Sequence, residues 1–129
     1  MPTAVSDLFT TVPKRDHLSL FQNDRPDYQK VVQSLEFKKE DVSKATGVPL
    51  VSIRYDEKMP IELQERIREW AVLLNLVAEH FQSDAKKTTL WFTMSNPLLG
   101  NVAPRDMIRF GRFKKLIKFI ITALAENRR

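Results

Sequence analysis

Side chains able to perform catalysis are few in this 129-residue chain, and their spacing forms no catalytic triad. The two histidines, His17 and His80, lie far apart and have no partners at metal-ligand spacing. Cysteine is absent, which excludes thiol nucleophiles, thiolate metal sites and disulfides. Glutamates between residues 62 and 79 recur as on the solvated face of a helix, not as an acid/base pair. The sequence therefore predicts a protein that is not an enzyme and binds neither cofactor nor metal.

The distribution of charge is more informative than the net charge of +5. Residues 1–103 hold 13 basic and 14 acidic residues, whereas residues 104–129 hold 8 basic and 2 acidic residues. A basic C-terminal element favours an anionic partner, either nucleic acid or an acidic protein pocket. The alternative is that these lysines and arginines only solvate a helix face.

The segment from Phe37 to Arg54 has helix-turn-helix character, with Gly47 at the turn between its two predicted helices. The second of these helices is predicted to begin at Val48-Pro49. Residues that read DNA cluster early in the second helix of such a unit. The candidate DNA-binding side chains are Ser52, Arg54, Lys38 and Lys39. A structural helical hairpin and a working DNA reader both fit this pattern.

The elements that position these residues are predicted to be helices, because glycine is rare and evenly spaced alternating strands are missing. We expect an all-α fold in three parts. Residues 1–25 carry scattered apolar pairs and are predicted to form a mobile N-terminal arm. The alternative is that the apolar residues of this segment pack on the body or on a second chain; they are Leu8, Phe9, Leu20 and Phe21. Residues 26–58 form the helix-turn-helix-like unit, and residues 59–129 form a long connecting helix followed by a C-terminal helical domain.

The long helix is predicted to begin at Met59-Pro60, and from Trp70 to Ala78 it is apolar nearly all round. Such a stretch is expected to be buried on several sides. Further helices are predicted from about Asp84 to Met94, from Pro104 to Phe110 and from Arg112 to about Asn127. In the last of these, Phe119 and Ile121 point away from the predicted core and are candidates for a partner surface.

The predicted location is the cytoplasm. The chain begins with no basic segment followed by an apolar stretch, so a secretory signal is not expected. Its apolar stretches are too short to span a bilayer. The lack of cysteine also suits a reducing compartment.

Several short motifs follow one another in the last third of the chain: Leu90-Trp91-Phe92, Asn96-Pro97-Leu98-Leu99-Gly100, Pro104-Arg105-Asp106-Met107-Ile108, and Gly111. This succession resembles the toxin-binding domain of the Xre/MbcA/ParS antitoxins, which has a tryptophan-containing helix, an asparagine-proline turn and a helix begun by proline. The resemblance covers about residues 26–127, since the helix-turn-helix-like unit and the long helix are also similar to that family. Asn101-Val102-Ala103 departs from the second small residue that often follows the turn glycine.

The resemblance implies an antitoxin of a type II toxin-antitoxin pair. Its partner would be a RES-domain toxin, an enzyme that degrades NAD, whose active site the C-terminal domain covers. It also implies a homodimer or a larger complex with toxin, and repression of the antitoxin's own operon through binding of operator DNA. The residues expected to contact the toxin are Arg105, Arg109, Arg112, Lys115, Asn127, Arg128 and Arg129. The alternative function is a stand-alone helix-turn-helix transcriptional regulator without a toxin partner.

Overall fold

The computed structural model describes residues 16–127, and within them the fold is mainly helical, as predicted. A short antiparallel hairpin, formed by β1 (Phe21–Gln22) and β2 (Arg25–Pro26), precedes the helices. The helices are α1 (Tyr28–Ser34), α2 (Lys39–Thr46), α3 (Ile61–His80), α4 (Ala85–Thr93), α5 (Pro104–Arg109) and α6 (Phe113–Asn127). Two single turns of 3-10 helix are formed by Leu50–Ser52 and Pro97–Leu99.

Helix α3 is the centre of the fold. Every residue from Trp70 to Ala78 is buried, which confirms the expectation from the apolar stretch. The N-terminal half of the chain contributes α1, α2 and β2 to the packing around α3, and the C-terminal half contributes α4 and α6. Burial on all sides removes far more apolar surface from water than a single face would, so α3 supplies much of the hydrophobic stabilisation. No described helix combines the length and the apolarity needed to cross a membrane.

The predicted boundary of the N-terminal arm at residue 25 is wrong. Leu20 is fully buried in the core, and the Asp27 amide donates a hydrogen bond to the Leu20 carbonyl at 2.7 Å. The Leu20-Phe21 pair follows no helical spacing because it enters a hairpin held against α3, where Arg68 donates to the Asp24 carbonyl at 2.7 Å. Residues 1–15, the rest of the predicted arm, lie outside the described residues.

The second helix of the predicted helix-turn-helix is also wrong, because only one 3-10 turn, Leu50–Ser52, stands in its place. Gly47 ends α2 in the left-handed conformation, φ 79°, as expected. Beyond the turn, β-branched Ile53 adopts an extended conformation and is buried. Arg54 and Asp56 then pair with each other, and Asp56 accepts the Lys58 amide at 3.0 Å. These local bonds favour a turn over helix continuation.

Helix α5 joins the two halves of the chain. It packs on α2 from the N-terminal half and on α4 and α6 from the C-terminal half. One continuous core, extending from Leu20 to Ile120, therefore lies beneath both the helix-turn-helix-like unit and the C-terminal helices. The surfaces carried by the two halves are held in a fixed relation by this shared core.

Candidate partner-binding surfaces

Residues from two motifs of the last third of the chain line one groove, here called the apolar groove. Its walls are Trp91 of α4, Asn96 and Leu98 of the second 3-10 turn, and the C-terminal half of α6. The end of α3 closes it, and the whole lining comprises Val77, His80, Phe81, Trp91, Asn96, Leu98, Phe119, Ile120, Ala123 and Leu124. The groove encloses about 170 Å³. Phe119, predicted to lie on a partner surface, is half-buried within it.

The turn that presents Leu98 is built by local hydrogen bonds. The Asn96 side chain accepts from the Leu98 amide at 2.9 Å, and Pro97 supplies the first residue of the 3-10 turn. Gly100 ends the turn at φ 73°, a conformation that costs glycine little. The Asn96 amide then donates to the Val102 carbonyl at 3.1 Å and closes the loop. The loop thereby holds Leu98 outward, 78% exposed.

Two further apolar side chains near the turn in sequence are exposed. Leu90 of α4 is 54% exposed and Met94, which directly follows α4, is 55% exposed. These two side chains and Leu98, the one of the three that lines the groove, are here called the apolar rim. Exposed apolar patches are typical of protein-binding sites.

Arg105, expected to face a toxin, contacts the chain itself. Its Nη1 donates to the carbonyl oxygens of Leu35 and Glu36 at 3.3 and 3.1 Å, and it lies 3.9 Å from the Glu36 carboxylate. These carbonyls belong to the end of α1, where backbone acceptors lack helical partners. Arg105 therefore joins α5 to the helix-turn-helix-like unit.

Arg109, the second predicted toxin contact on α5, is also engaged within the chain. It lies 3.3 Å from Asp41 of α2 and 2.8 Å from Asp106, and its guanidinium stacks over Phe110. Burial by itself would raise the pKa of Asp41, but hydrogen bonds from the Lys38 amide and from Arg109 outweigh it and hold this pKa below its usual range. Arg109 thus stabilises the contact between α5 and α2.

Arg112 and Lys115 are exposed, and they line a second, larger groove between α3 and the first half of α6, here called the basic groove. It encloses about 860 Å³. Its cationic side chains, all exposed, are Arg66, Arg112, Lys114, Lys115 and Lys118. Lys114, Lys118 and Arg66 were not among the predicted site residues, although the spacing of the lysines on one helix signalled a basic face.

The seven predicted toxin contacts do not form one surface. Asn127 ends α6, about 22 Å along the helix axis from Arg112. Arg128 and Arg129 lie outside the described residues. Of the five that the structure describes, Asn127 is the one close to the apolar groove, since Leu124 lines that groove one helical turn before it.

The predicted DNA-binding residues are dispersed over the N-terminal half. Lys38 and Lys39 are exposed at the start of α2. Ser52 is half-buried, and Arg54 forms a two-bond pair with Asp56 at 2.6 and 2.7 Å. Because the second helix is missing, these four side chains do not share one helix face.

The histidines take part in packing. His17 shares a hydrogen bond with Ser83 at 3.0 Å, and the ring of His80 packs edge-on against Phe81 with 5.2 Å between centroids. Among residues 16–127, no three histidine, aspartate or glutamate side chains are grouped as a metal site would require.

In comparisons with known proteins, no family model matches this chain, and no curated protein or solved structure matches it significantly.

Proposed function

We propose that this chain is the antitoxin of a type II toxin-antitoxin pair and that it neutralises a RES-type, NAD-degrading toxin by covering the toxin's active site. The resemblance of residues 90–111 to the Xre/MbcA/ParS antitoxins suggests the partner. One structural observation carries the proposal: Trp91, Asn96 and Leu98, from the tryptophan helix and the asparagine-proline turn of that resemblance, line the same apolar groove as the C-terminal half of α6. Inhibition by covering needs no catalytic group on the antitoxin.

The apolar rim is large enough to contribute substantially to binding. Complete burial of an exposed Leu or Met side chain is worth about 1.5–3 kcal/mol. Leu90, Met94 and Leu98 are 54%, 55% and 78% exposed, so covering all three would contribute about 3–5 kcal/mol. Each 1.4 kcal/mol is tenfold in affinity, and the rim therefore accounts for a factor of hundreds or more.

The end of α6 supplies the polar part of the proposed contact. Helix α6 passes Leu124 in the apolar groove and continues to Asn127, which Arg128 and Arg129 follow. In this proposal these last residues contact the toxin beside its active site. Arg105 and Arg109 support the shape of the domain, because their side chains bind α1 and α2.

Binding of operator DNA by a dimer is the second part of this proposal, and a stand-alone transcriptional regulator is its rival. The exposed Lys38 and Lys39 favour a DNA contact at the start of α2. The single 3-10 turn at Leu50–Ser52 counts against a base-reading helix there. An exposed apolar rim has no role in a regulator that binds only DNA, which is why the antitoxin is preferred.

Co-expression with the protein encoded by the adjacent gene tests the proposal, which requires that protein to be a RES-domain toxin. The wild-type chain should restore growth, restore cellular NAD and co-purify with the toxin. Leu98→Glu places a charge in the proposed contact and should weaken binding about 30-fold or more. Val51→Glu is the matched control, because Val51 is 95% exposed on the other half of the chain, and it should bind as the wild type does.

The outcomes separate two claims. If the wild-type chain neither rescues growth nor forms a complex, the antitoxin proposal fails. If it does both and Leu98→Glu behaves as Val51→Glu does, the chain is an antitoxin whose contact lies away from the apolar groove.

A further inference from the structure

We propose that the basic groove binds the phosphate backbone of double-stranded DNA, at a place separate from both the helix-turn-helix-like unit and the apolar groove. This site goes beyond the proposed antitoxin function and does not depend on it. The groove lies between α3 and the first half of α6, with Ala45 of α2 and Ile108 of α5 at its edge. It is therefore formed by elements from both halves of the chain.

The charge in the groove is almost entirely of one sign. Five cationic side chains line it against a single carboxylate, Glu69, which is 3.2 Å from Arg66. Among the described residues, Arg112, Lys115 and Lys118 have no ion-pair partner. The groove thus carries about four uncompensated positive charges, which repel one another until an anion binds.

The spacing of the cations suits a polyanion. Arg112, which directly precedes α6, and Lys118 of α6 are six residues apart, about 9 Å along the helix axis, and Lys114 and Lys115 lie between them. Double-stranded DNA presents one negative charge per about 1.7 Å of its axis when both strands are counted, so about five phosphates, about three of them on one strand, fall within this length. An acidic protein surface seldom reaches that density, because its own carboxylates would repel one another.

The groove favours the backbone of a duplex over exposed bases. Proteins that bind single strands stack bases on accessible aromatic rings. Two aromatic rings line the groove. Trp70 is only 2% exposed and packs edge-on against Phe37 at 5.6 Å, so it offers no stacking face, and Phe113 is partly buried against the core. No asparagine or glutamine lines the groove to read base edges. We therefore expect contacts to phosphates without sequence preference.

The helix-turn-helix-like unit lacks a comparable charge. Residues 26–58 hold six basic and six acidic residues, and the basic Arg54 is paired with Asp56. Lys38 and Lys39 precede Glu40 and Asp41 directly. Since phosphate neutralisation supplies most of the affinity of non-specific binding, the basic groove should dominate DNA binding.

The test measures fluorescence anisotropy of two unrelated 20-base-pair DNA duplexes with the full chain, between 50 and 200 mM NaCl. Four phosphate contacts give a salt slope of about −3.6, so affinity for both duplexes should fall about 150-fold over this range. Lys115→Ala with Lys118→Ala should reduce the slope by about 1.8, leaving a fall of about 12-fold. Glu69→Gln should tighten binding, because it removes the one carboxylate of the groove and its pairing with Arg66.

One double variant with the same change in net charge serves as the control: Lys86→Ala with Lys87→Ala alters α4 away from the groove and should keep the wild-type slope. Lys38→Ala with Lys39→Ala alters the start of α2, the other proposed DNA contact, and should reduce the slope by less than the groove pair does. All of these lysines are exposed, and circular dichroism will verify that the variants are folded.

Several results would overturn the inference. If the Lys38 and Lys39 pair reduced the salt slope as much as the groove pair does, the DNA-binding site would not be confined to the basic groove. If all three pairs reduced the slope equally, the binding would depend only on net charge. Competition by poly-L-glutamate as strong as that by duplex DNA would indicate an acidic protein partner. Tighter binding of an RNA duplex would exclude DNA as the preferred ligand. No toxin is present in this assay, so its failure leaves the antitoxin proposal intact.

Discussion

The most informative single residue for testing this fold is Asn75, an amide that is 0% exposed in the apolar stretch of α3. Its Oδ1 accepts a hydrogen bond from the Leu18 amide at 3.1 Å, and its Nδ2 donates to Asp16 Oδ1 at 3.2 Å. Asp16 in turn accepts from the amides of Leu20 and Phe21 at 2.7 and 2.8 Å. One buried side chain therefore connects the central helix to the segment before the hairpin.

Replacing Asn75 by leucine keeps the size of the side chain and removes both of these bonds. A buried amide left without an acceptor, here that of Leu18, costs about 1–3 kcal/mol. Burial of the leucine offsets part of this cost. We expect the free energy of unfolding to fall by about 2 kcal/mol. For a denaturant dependence of about 1.5 kcal/mol per molar, the urea midpoint would fall by about 1.3 M.

Asn75→Asp should lower the free energy of unfolding more than Asn75→Leu does, by about 3–5 kcal/mol in total at pH 7, because it buries an unpaired carboxylate facing Asp16. Burial and the neighbouring charge would raise the pKa of the new carboxyl above its unfolded value of about 3.9. A carboxyl group whose pKa is raised in the folded state lowers stability only while it is ionised. The destabilisation therefore disappears as pH falls through the pKa of the folded state. The penalty of Asn75→Asp should therefore shrink towards pH 4, while that of Asn75→Leu stays constant.

Urea unfolding followed by tryptophan fluorescence, to which Trp70 in the same helix and Trp91 contribute, measures both effects. Native-state hydrogen exchange should show the Leu20 and Phe21 amides losing protection before the amides of α3 do. Thr88→Val is the matched control, because Thr88 is also fully buried but its hydroxyl bonds only the Asp84 carbonyl within its own helix turn. An Asn75→Leu midpoint equal to that of Thr88→Val, with residues 16–21 still protected, would refute the described tether.

Two further predictions concern the contact between the halves and the partner turn. Asp41→Asn should lower stability by about 1 kcal/mol at pH 7, because it removes the charge that faces Arg109. The depressed pKa of Asp41 means that this contribution is present above the unfolded pKa of about 3.9 and is lost as pH falls through the lower pKa of the folded state. Thermal unfolding should therefore show a smaller difference from wild type at pH 3 than at pH 7, and a constant difference would contradict the ion pair. In Gly100→Ala, the added methyl group would meet no atom within 4 Å, but the alanine must adopt φ 73°. We expect the free energy of unfolding to fall by about 1 kcal/mol and the melting temperature by about 4 °C. An unchanged melting temperature would contradict the left-handed turn.

Much of the fold could be predicted because periodicity and helix-ending residues depend on local sequence. The buried stretch from Trp70 to Ala78, the stop at Gly47 and the helix begun by Pro104 are all found where they were expected. Each is decided by residues within about one helical turn. Local rules are reliable where no distant contact opposes them.

The two errors have distant causes. The segment around Leu20 is ordered because Asn75, more than fifty residues away, binds it. The second predicted helix is absent because Ile53 is buried in extended form in a core shared with α3. Neither contact leaves a signal in the local pattern, and both replace what propensity alone would favour.

In the candidate sites, too, the sequence predicted the kind of residue but not where the fold places it. The C-terminal excess of positive charge was visible in the sequence, but a linear count treats its arginines and lysines as one surface. In the fold these residues have different contacts. Arg105 binds a carbonyl oxygen at the end of α1 and Arg109 binds Asp41 of α2, because α5 packs against this part of the chain. Arg112 and Lys115 lie on the basic groove, whereas the apolar groove is lined by residues further along α6, from Phe119 to Leu124. The two grooves therefore divide α6 between its first half and its C-terminal half, and the proposal made for each groove can be tested with variants that leave the other groove unchanged.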